Sequence, residues 1–396
     1  MNRSHSLFLA IALVFGCAEN DPNNDGSTDN SSNSLGGFNY EDIEFPAHFE
    51  VPATGGMGGM AGVNGASVID TDNTPSDNPI TNAGASLGRV LFYDKNLSAN
   101  GTIACASCHK SEFGFADDRT LSLGFEGGET GRHSMALTNA RFYEPGMFFW
   151  DQRAETLEDQ VLMPFQDEVE MGMTLESLIE TVASQDFYPA LFDSAFGDGE
   201  VTSDRISKAL AQFVRSLVSY RSPYDEGRAA VSSANTDFPT FNDEENLGKE
   251  IFMGTPMDPN GGGCAVCHQG ETMAAAEANN NGLDVDSVDD TGYGEVTGST
   301  GDMGTFKVPS LRNIAVRGGF MHDGRFSTLR EVIDHYGDTV EAHPNLGMPL
   351  NMHIMELSVP HREALVAFLE TLTDEEMLND PKFSNPFDES GALRVD

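Results

Sequence analysis

Cysteine is scarce in this chain. Only five occur in 396 residues, and four of them fall in two Cys-x-x-Cys-His clusters, Cys105–His109 and Cys264–His268. The fifth, Cys17, closes the N-terminal hydrophobic stretch, so none remains for a structural disulfide. A disulfide-stapled miniature is therefore excluded. Basic residues are also few: 22 Lys and Arg stand against 63 Asp and Glu, a formal net charge of −41. That balance argues against a nucleic-acid partner, because phosphate binding needs clustered Lys and Arg. No stretch after residue 16 is long and apolar enough to read as a membrane helix. Alternating strand patterns are scarce as well, which turns the fold class away from β structure. Tryptophan occurs once, at Trp150.

What is present supports a folded protein. Hydrophobic residues make up 39 % of the chain, and its length suits roughly two or three domains. Residues 1–16 read as an export signal, with Arg3 as a short basic region and Leu7 to Phe15 as an apolar core too short to span a membrane. The segment ends Leu13-Val14-Phe15-Gly16-Cys17. It resembles a bacterial lipoprotein signal, in which the cysteine becomes the lipidated first residue. Phe15 is an imperfect fit, and ordinary cleavage nearby is the alternative. Both readings place the protein outside the cytoplasm; the first puts it in the periplasm, held by lipid to the outer membrane. Residues 17–80, rich in Asn, Asp, Ser and Gly, read as a flexible tether, with order beginning near residue 80.

Beyond the tether the pattern is helical. Over residues 204–221, Ile206, Leu210, Phe213, Val214, Leu217 and Val218 recur at helical spacing on one face. Pro360 starts another helix with Leu365, Val366, Phe368 and Leu369 inward. The expected fold class is mainly α, with one domain over 81–235, a second over 236–380 and a tail over 381–396. There is also an internal repeat. Leu87-Gly88-Arg89-Val90-Leu91-Phe92 precedes the first cysteine cluster, and Leu247-Gly248-Lys249-Glu250-Ile251-Phe252 precedes the second, as duplication of one unit would produce.

The two clusters carry the strongest chemistry. Two cysteines three apart can form thioethers to the vinyl groups of one haem, and the following His can then ligate the iron. The rival is zinc held by two Cys-x-x-Cys pairs, but zinc ribbons place their pairs roughly 15–20 residues apart. Here Cys108 and Cys264 are far more widely separated, and each pair is followed by His. The reading is two covalently attached haem c groups, at Cys105, Cys108 and His109 and at Cys264, Cys267 and His268. Haem alone does not separate a carrier from an enzyme. A carrier fills both axial positions of each iron, whereas a peroxidase leaves one open beside an acid–base group. The acidic surface suits a small basic redox protein as donor, or serves solubility alone.

The segments around both clusters resemble the bacterial di-haem cytochrome c peroxidase and MauG family, from about Leu87 to Leu372. The motifs are Leu91-Phe92-Tyr93-Asp94 with Leu97-Ser98, Phe149-Trp150-Asp151-Gln152-Arg153-Ala154, Thr156-Leu157-Glu158-Asp159-Gln160 and Glu170-Met171-Gly172. They continue with Phe306-Lys307-Val308-Pro309-Ser310-Leu311-Arg312-Asn313, Met321-His322-Asp323-Gly324 and Thr328-Leu329-Arg330-Glu331-Val332-Ile333. The resemblance implies two cytochrome-c-like haem domains facing each other, with a calcium ion between the haems. Glu170 matches the family's distal glutamate, which takes a proton from hydrogen peroxide and returns it to the leaving oxygen. One carboxylate among so many acids is ordinarily a solvated one; the Glu-Met-Gly context singles it out. Gln160 matches a polar neighbour in that pocket, and Trp150 the tryptophan between the haems. Asn139, Arg317 and Gly319 fall where the family binds calcium, the last two through backbone carbonyls in place of the usual Thr and Pro.

Tyr336, in Asp334-His335-Tyr336, is the informative departure. Peroxidases with a high-potential second haem carry a Met there as the iron ligand, whereas MauG-type proteins carry Tyr. A phenolate is a hard anion and favours ferric or higher iron. The alternative is a structural Tyr336 with Met348, Met352 or Met355 as ligand. His133, in Arg132-His133-Ser134, is assigned a structural role in preference to capping the first haem. His322 is expected to hydrogen-bond near the second haem. The function expected is reduction of hydrogen peroxide to water with electrons from a redox protein such as a cytochrome c. The first alternative is a MauG-type enzyme that uses peroxide to oxidise residues of a partner protein; the second is a non-catalytic electron carrier. Family members are often dimers, so a homodimer is compatible with the resemblance.

Overall fold

The structure, a computed structural model, describes residues 37–52, 66–255, 261–275, 277–352 and 357–394. The expected signal, Cys17 and most of the Gly-rich stretch lie outside the described residues. Helices dominate, and β pairing among the described residues is confined to isolated bridges.

Each half is built on a pair of crossed helices. In the first, helix Asn82–Tyr93 packs on helix Ser203–Ser216. In the second, helix Asp243–Met253 packs on helix Val359–Glu370. Their starts follow local rules: Thr81, Thr202, Asn242 and Ser358 each accept a bond from a first-turn N–H, and Pro360 sits in the first turn, where its missing donor costs nothing. The repeated Leu-Gly motif marks the crossing point. A Cβ on Gly88 would lie 2.0 Å from the carbonyl oxygen of Ala209, and one on Gly248 would lie 1.8 Å from that of Ala364. Phe213 and Phe368 sit at equivalent places beside them, each Cβ 2.8 Å from the hypothetical atom. The sequence repeat is therefore a repeat of backbone-to-backbone helix packing.

A matching clasp closes each pair. Asn139 and Asn313 both adopt left-handed backbone, with φ of 63° and 59°. The Asn139 N–H donates to Leu217 O at 2.8 Å, and the Asn313 N–H to Leu372 O at 2.9 Å, just past the end of each helix. Their side-chain oxygens accept from Ser219 N and Asp374 N. The helix expected over 204–221 thus ends at Ser216, because Leu217 turns its carbonyl to Asn139; Leu217 and Val218 remain buried beyond it.

Three expected boundaries shift. Part of the tether is packed: Tyr40 and Phe49 are fully buried, and the Tyr40 hydroxyl donates to Lys382 O at 2.6 Å. His48 bonds Asp225 at 3.0 Å. Isolated aromatics in a polar, glycine-rich segment are diluted in any composition average, yet each fills a groove. The change from first to second core comes before Tyr224, which packs with Phe238 and Phe368, and not near residue 235. The tail also packs: Phe383 and Phe387 join the first core, and Arg89 and Tyr93 bond the carbonyls of Ser384 and Phe383.

Gly88→Ala and Gly248→Ala are each expected to destabilise the protein by about 1–3 kcal/mol through overpacking at the crossing. Chemical unfolding of each variant checks this; wild-type stability in both would mean the helices cross less closely.

Candidate di-haem site

Two cavities are lined by the two clusters. The first, of about 550 Å3, is bordered by Cys105, Cys108 and His109; the second, of about 210 Å3, by Cys264, Cys267 and His268. Each cluster forms one helical turn, which puts both thiols and the imidazole on the same side. His109 Nδ1 lies 3.0 Å from Phe115 O, and His268 Nδ1 lies 3.1 Å from Met273 O. A carbonyl partner fixes the proton on Nδ1 and leaves the Nε2 lone pair free for a metal. Burial lowers both imidazoles, His268 to about 4, so both stay neutral as iron ligands must. Neither thiol pair forms a disulfide. This donor set fits two haem c groups.

The first cavity contains Gln160 and Glu170. Glu170 is held by its surroundings. Its N–H donates to Asp167 Oδ1 at 3.0 Å, and its carbonyl accepts from Phe125 N at 3.0 Å. Met171 is buried in the first core, and Gly172 turns with φ of 67° against the Phe125 ring. The Glu-Met-Gly motif is thus an anchor, a turn and a carboxyl projected between them. Burial pushes that carboxyl up to about 7; the charge of Asp167 adds to the rise, and Arg153 opposes it. The Glu170 charge acts in turn on the Cys105 and Cys108 thiols, so the carboxyl and the haem attachment share one pocket.

The second cavity contains Tyr336, at a π-helical turn over His335–Thr339. Such turns occur frequently at functional sites. Burial pushes the Tyr336 phenol well above its usual range, and a hydrogen bond from Asn281 opposes this. Of the rival ligands, Met348 is 45 % exposed and does not line the cavity. Met355 and the Met352 side chain lie outside the described residues.

The repeat extends through both sites. Phe148 to Ala154 and Phe320 to Phe326 share a shape: a bridge between their ends, left-handed backbone at Phe149 and Met321 and again at Gln152 and Gly324, and an Arg folded onto its Asp. Thr156 and Thr328 then cap equivalent helices. In this register Trp150 corresponds to His322, Gln160 to Val332 and Pro164 to Tyr336. Pro164 lines the first cavity, and it has no atom able to ligate iron. The sequence reading missed Pro164; the spacing common to the two repeats was the signal that identifies it.

The halves meet reciprocally. Ala116 of the first lines the second cavity, and Ala274 of the second lines the first. Trp150 and His133 line both. The Trp150 indole N–H donates to His133 O at 2.8 Å, and its carbonyl accepts from Lys307 N at 2.8 Å. The single tryptophan therefore stands in the common wall. His133 Nδ1 is 3.0 Å from both Arg119 O and Thr120 O, and its buried Nε2 has no hydrogen-bond partner among the described residues. His322 stacks on Phe306 at 3.7 Å beside the second cavity.

The residues expected to hold calcium line different cavities. Asn139 lines the first cavity, Arg317 and Gly319 the second. The Asn139 amide is engaged by Ser219, as its repeat partner Asn313 is by Asp374. The side chain against Gly319 is the His133 ring, a nitrogen donor, and the buried Arg317 guanidinium places positive charge nearby. Calcium takes oxygen ligands, largely carboxylate and carbonyl, and neither the His133 ring nor the Arg317 side chain supplies one. Among the described residues no group of three or more His, Cys, Asp or Glu could hold a metal. Dialysis of the haem-loaded protein against EGTA is expected to leave both haem spectra unchanged; a change reversed by added calcium would contradict this geometry.

Comparison with known proteins agrees with these sites. The di-haem cytochrome c peroxidase family matches residues 82–230. The methylamine utilization protein MauG of Methylorubrum extorquens is 33 % identical over 76 % of this chain and 81 % of its own. Cytochrome c551 peroxidase of Nitrosomonas europaea is 32 % identical over 76 % of this chain and 82 % of its own. A crystal structure of a MauG-like protein associated with microbial copper homeostasis superposes with a TM-score of 0.68 at 30 % identity, covering 80 % of this chain and 96 % of that one. The diheme peroxidase BthA of Burkholderia thailandensis shares the fold, with a TM-score of 0.62 at 19 % identity over 80 % of this chain and 92 % of its own. With two cysteine–histidine cavities meeting at one tryptophan and relatives matched along most of their length, the chain belongs to the di-haem cytochrome c peroxidase family.

Proposed function

We propose that the protein reduces hydrogen peroxide in the first cavity with electrons delivered through the second. The observation that carries this reading is the asymmetry of the repeat: Pro164 faces the first cavity where Tyr336 faces the second, and Glu170 stands beside the open one. When bound, the haem at His109 supplies an iron at which the peroxide O–O bond is cleaved, and the haem at His268 supplies a second electron store. Glu170 accepts the proton of the peroxide oxygen nearest the iron and delivers it to the departing oxygen, so that water leaves. Gln160 supplies a polar side chain in the same pocket. Trp150 couples the two cavities. Two electrons and two protons per peroxide yield two waters. A small basic redox protein is the donor the net charge favours.

A second reading has its own support. Tyr336, as an anionic ligand, would stabilise oxidised iron and favour oxidation of a partner protein's residues over rapid turnover. Only a cation at its oxygen would ionise this phenol, given its burial. Slow turnover with reduced cytochrome c, together with a long-lived oxidised spectrum after peroxide, would select this reading. Haem c attachment and the signal-like N-terminus support a location outside the cytoplasm, with Cys17 as the lipid anchor.

Three measurements test the assignments. Glu170 must be ionised to accept a proton, and burial holds it near 7. The rate of reaction with peroxide is therefore expected to rise between about pH 6 and 8. Glu170→Gln should lower that rate about 10²–10⁴-fold and flatten the profile while both haems stay bound; unchanged turnover would remove Glu170 from the mechanism. Tyr336→Phe should convert the second ferric haem from low spin to high spin and leave the first unaltered, read by electron paramagnetic resonance. An unaltered second haem would return the ligand to one of the methionines.

A further inference from the structure

The cations that line the two cavities fall into two groups. Arg132 and Arg153 both pair with Asp151, and Arg132 also pairs with Asp290. Lys307 and Arg317 are buried, and neither makes an ion pair among the described residues. The Lys307 ammonium lies 3.6 Å from the Tyr143 ring centroid and 4.6 Å from that of Phe148. Arg317 Nη2 donates to the carbonyls of Ser310 and Arg312, each at 2.7 Å, and its buried Nε has no partner. Aromatic faces and carbonyls accommodate a cation without neutralising it.

That absence is notable in this chain. With 63 acidic residues it pairs Arg215 with Glu158, Arg228 with Glu271 and Arg312 with Asp225, whereas Arg89, buried away from both cavities, bonds the Ser384 carbonyl. An uncompensated buried charge is expensive, and the remedy is an anion that arrives from elsewhere. Both cations lie where haem would lie. Arg317 borders the second cavity, and Lys307 borders both. They also occupy repeat-related places. Counted from the paired asparagines Asn139 and Asn313, Lys307 corresponds to His133 and Arg317 to Tyr143. Lys307 touches Tyr143, and the Arg317 charge acts on His133. Each half thus contributes one side of both contacts where the cavities meet.

We propose that Lys307 and Arg317 are the counter-charges for the haem propionates, Arg317 at the second haem and Lys307 at the wall common to both. The inference rests on the di-haem assignment and extends it to how this chain sets its potentials. Haem brings the carboxylates that the protein withholds. In return, the guanidinium favours the ferrous state of the second iron and counters the pull of an anionic Tyr336 toward the ferric state. No metal ion is needed between the haems for this purpose.

Spectroelectrochemical titration of the haem-loaded full chain tests the assignment. Pyridine haemochrome assay first establishes two haems per wild-type chain; fewer would overturn the underlying reading and not this one. Arg317→Gln is expected to move the ferric-to-ferrous ratio of the second haem about tenfold toward ferric at fixed potential, equal to ~59 mV for a one-electron couple. Lys307→Met should move at least one haem as far. Lys249→Met is the control: Lys249 is a buried lysine bonded to Ala234 O and Thr236 O, away from both cavities, and its loss should move neither haem. Ratios within about threefold of wild type in both neutral variants would overturn the proposal. Lys307→Arg and Arg317→Lys keep the charge and serve if the neutral variants fail to mature. Their changed donor geometry should shift the propionate bending modes in resonance Raman spectra, and unmoved modes in both would equally overturn it.

Discussion

Each half of this protein depends on a helix crossing too close for a side chain. At Gly88 and Gly248 the backbone of one helix meets a carbonyl of the next, with space for hydrogen alone. That contact fixes the angle and depth of both helices. The cysteine turn that follows is then placed beside a cavity floored by the same pair. The asparagine clasp past the second helix returns the chain across the cavity, and the Nδ1-to-carbonyl bond orients the ligating imidazole. Remove the crossing and the histidine has no fixed direction.

Duplication of that unit supplies two haem pockets, and a few side chains make them different. Pro164 lines the first cavity where Tyr336 lines the second, so only the second has a side chain able to ligate iron at this place. Glu170 gives the first cavity a titratable group near neutrality, and among the described residues no carboxylate lines the other. Trp150 against His322 puts the indole in the wall that both cavities share. The backbone around these positions is nearly identical, including its left-handed residues. Function diverged at the side chains while the scaffold stayed fixed.

Charge is divided just as sharply. The chain carries a large excess of carboxylates, 63 Asp and Glu against 22 Lys and Arg. The interior reverses this: most deep arginines are tied to acids, and two cations beside the haem cavities are left for the cofactor. Such a placement couples folding to haem attachment, since the buried charges are compensated only in the loaded protein.

Some of this was determined by sequence alone. Cys-x-x-Cys-His is a covalent and coordinative device within five consecutive residues, so its chemistry needs no fold to be legible. The Leu-Gly repeat and the helical periodicities are local as well, as was the motif around Glu170. Other features depend on contacts between distant segments. Tyr40, Phe49, Phe383 and Phe387 sit in stretches whose composition predicts disorder, and only the groove each fills reveals that they are core. The role of Asn139 could not be read from its neighbours, because its partner is Ser219, brought close by the turn after the first helix pair. The same holds for Lys307 and Arg317. A sequence shows that a chain has cations; only the tertiary structure decides which of them are buried without an anion, because burial and pairing belong to the folded arrangement and not to the residue.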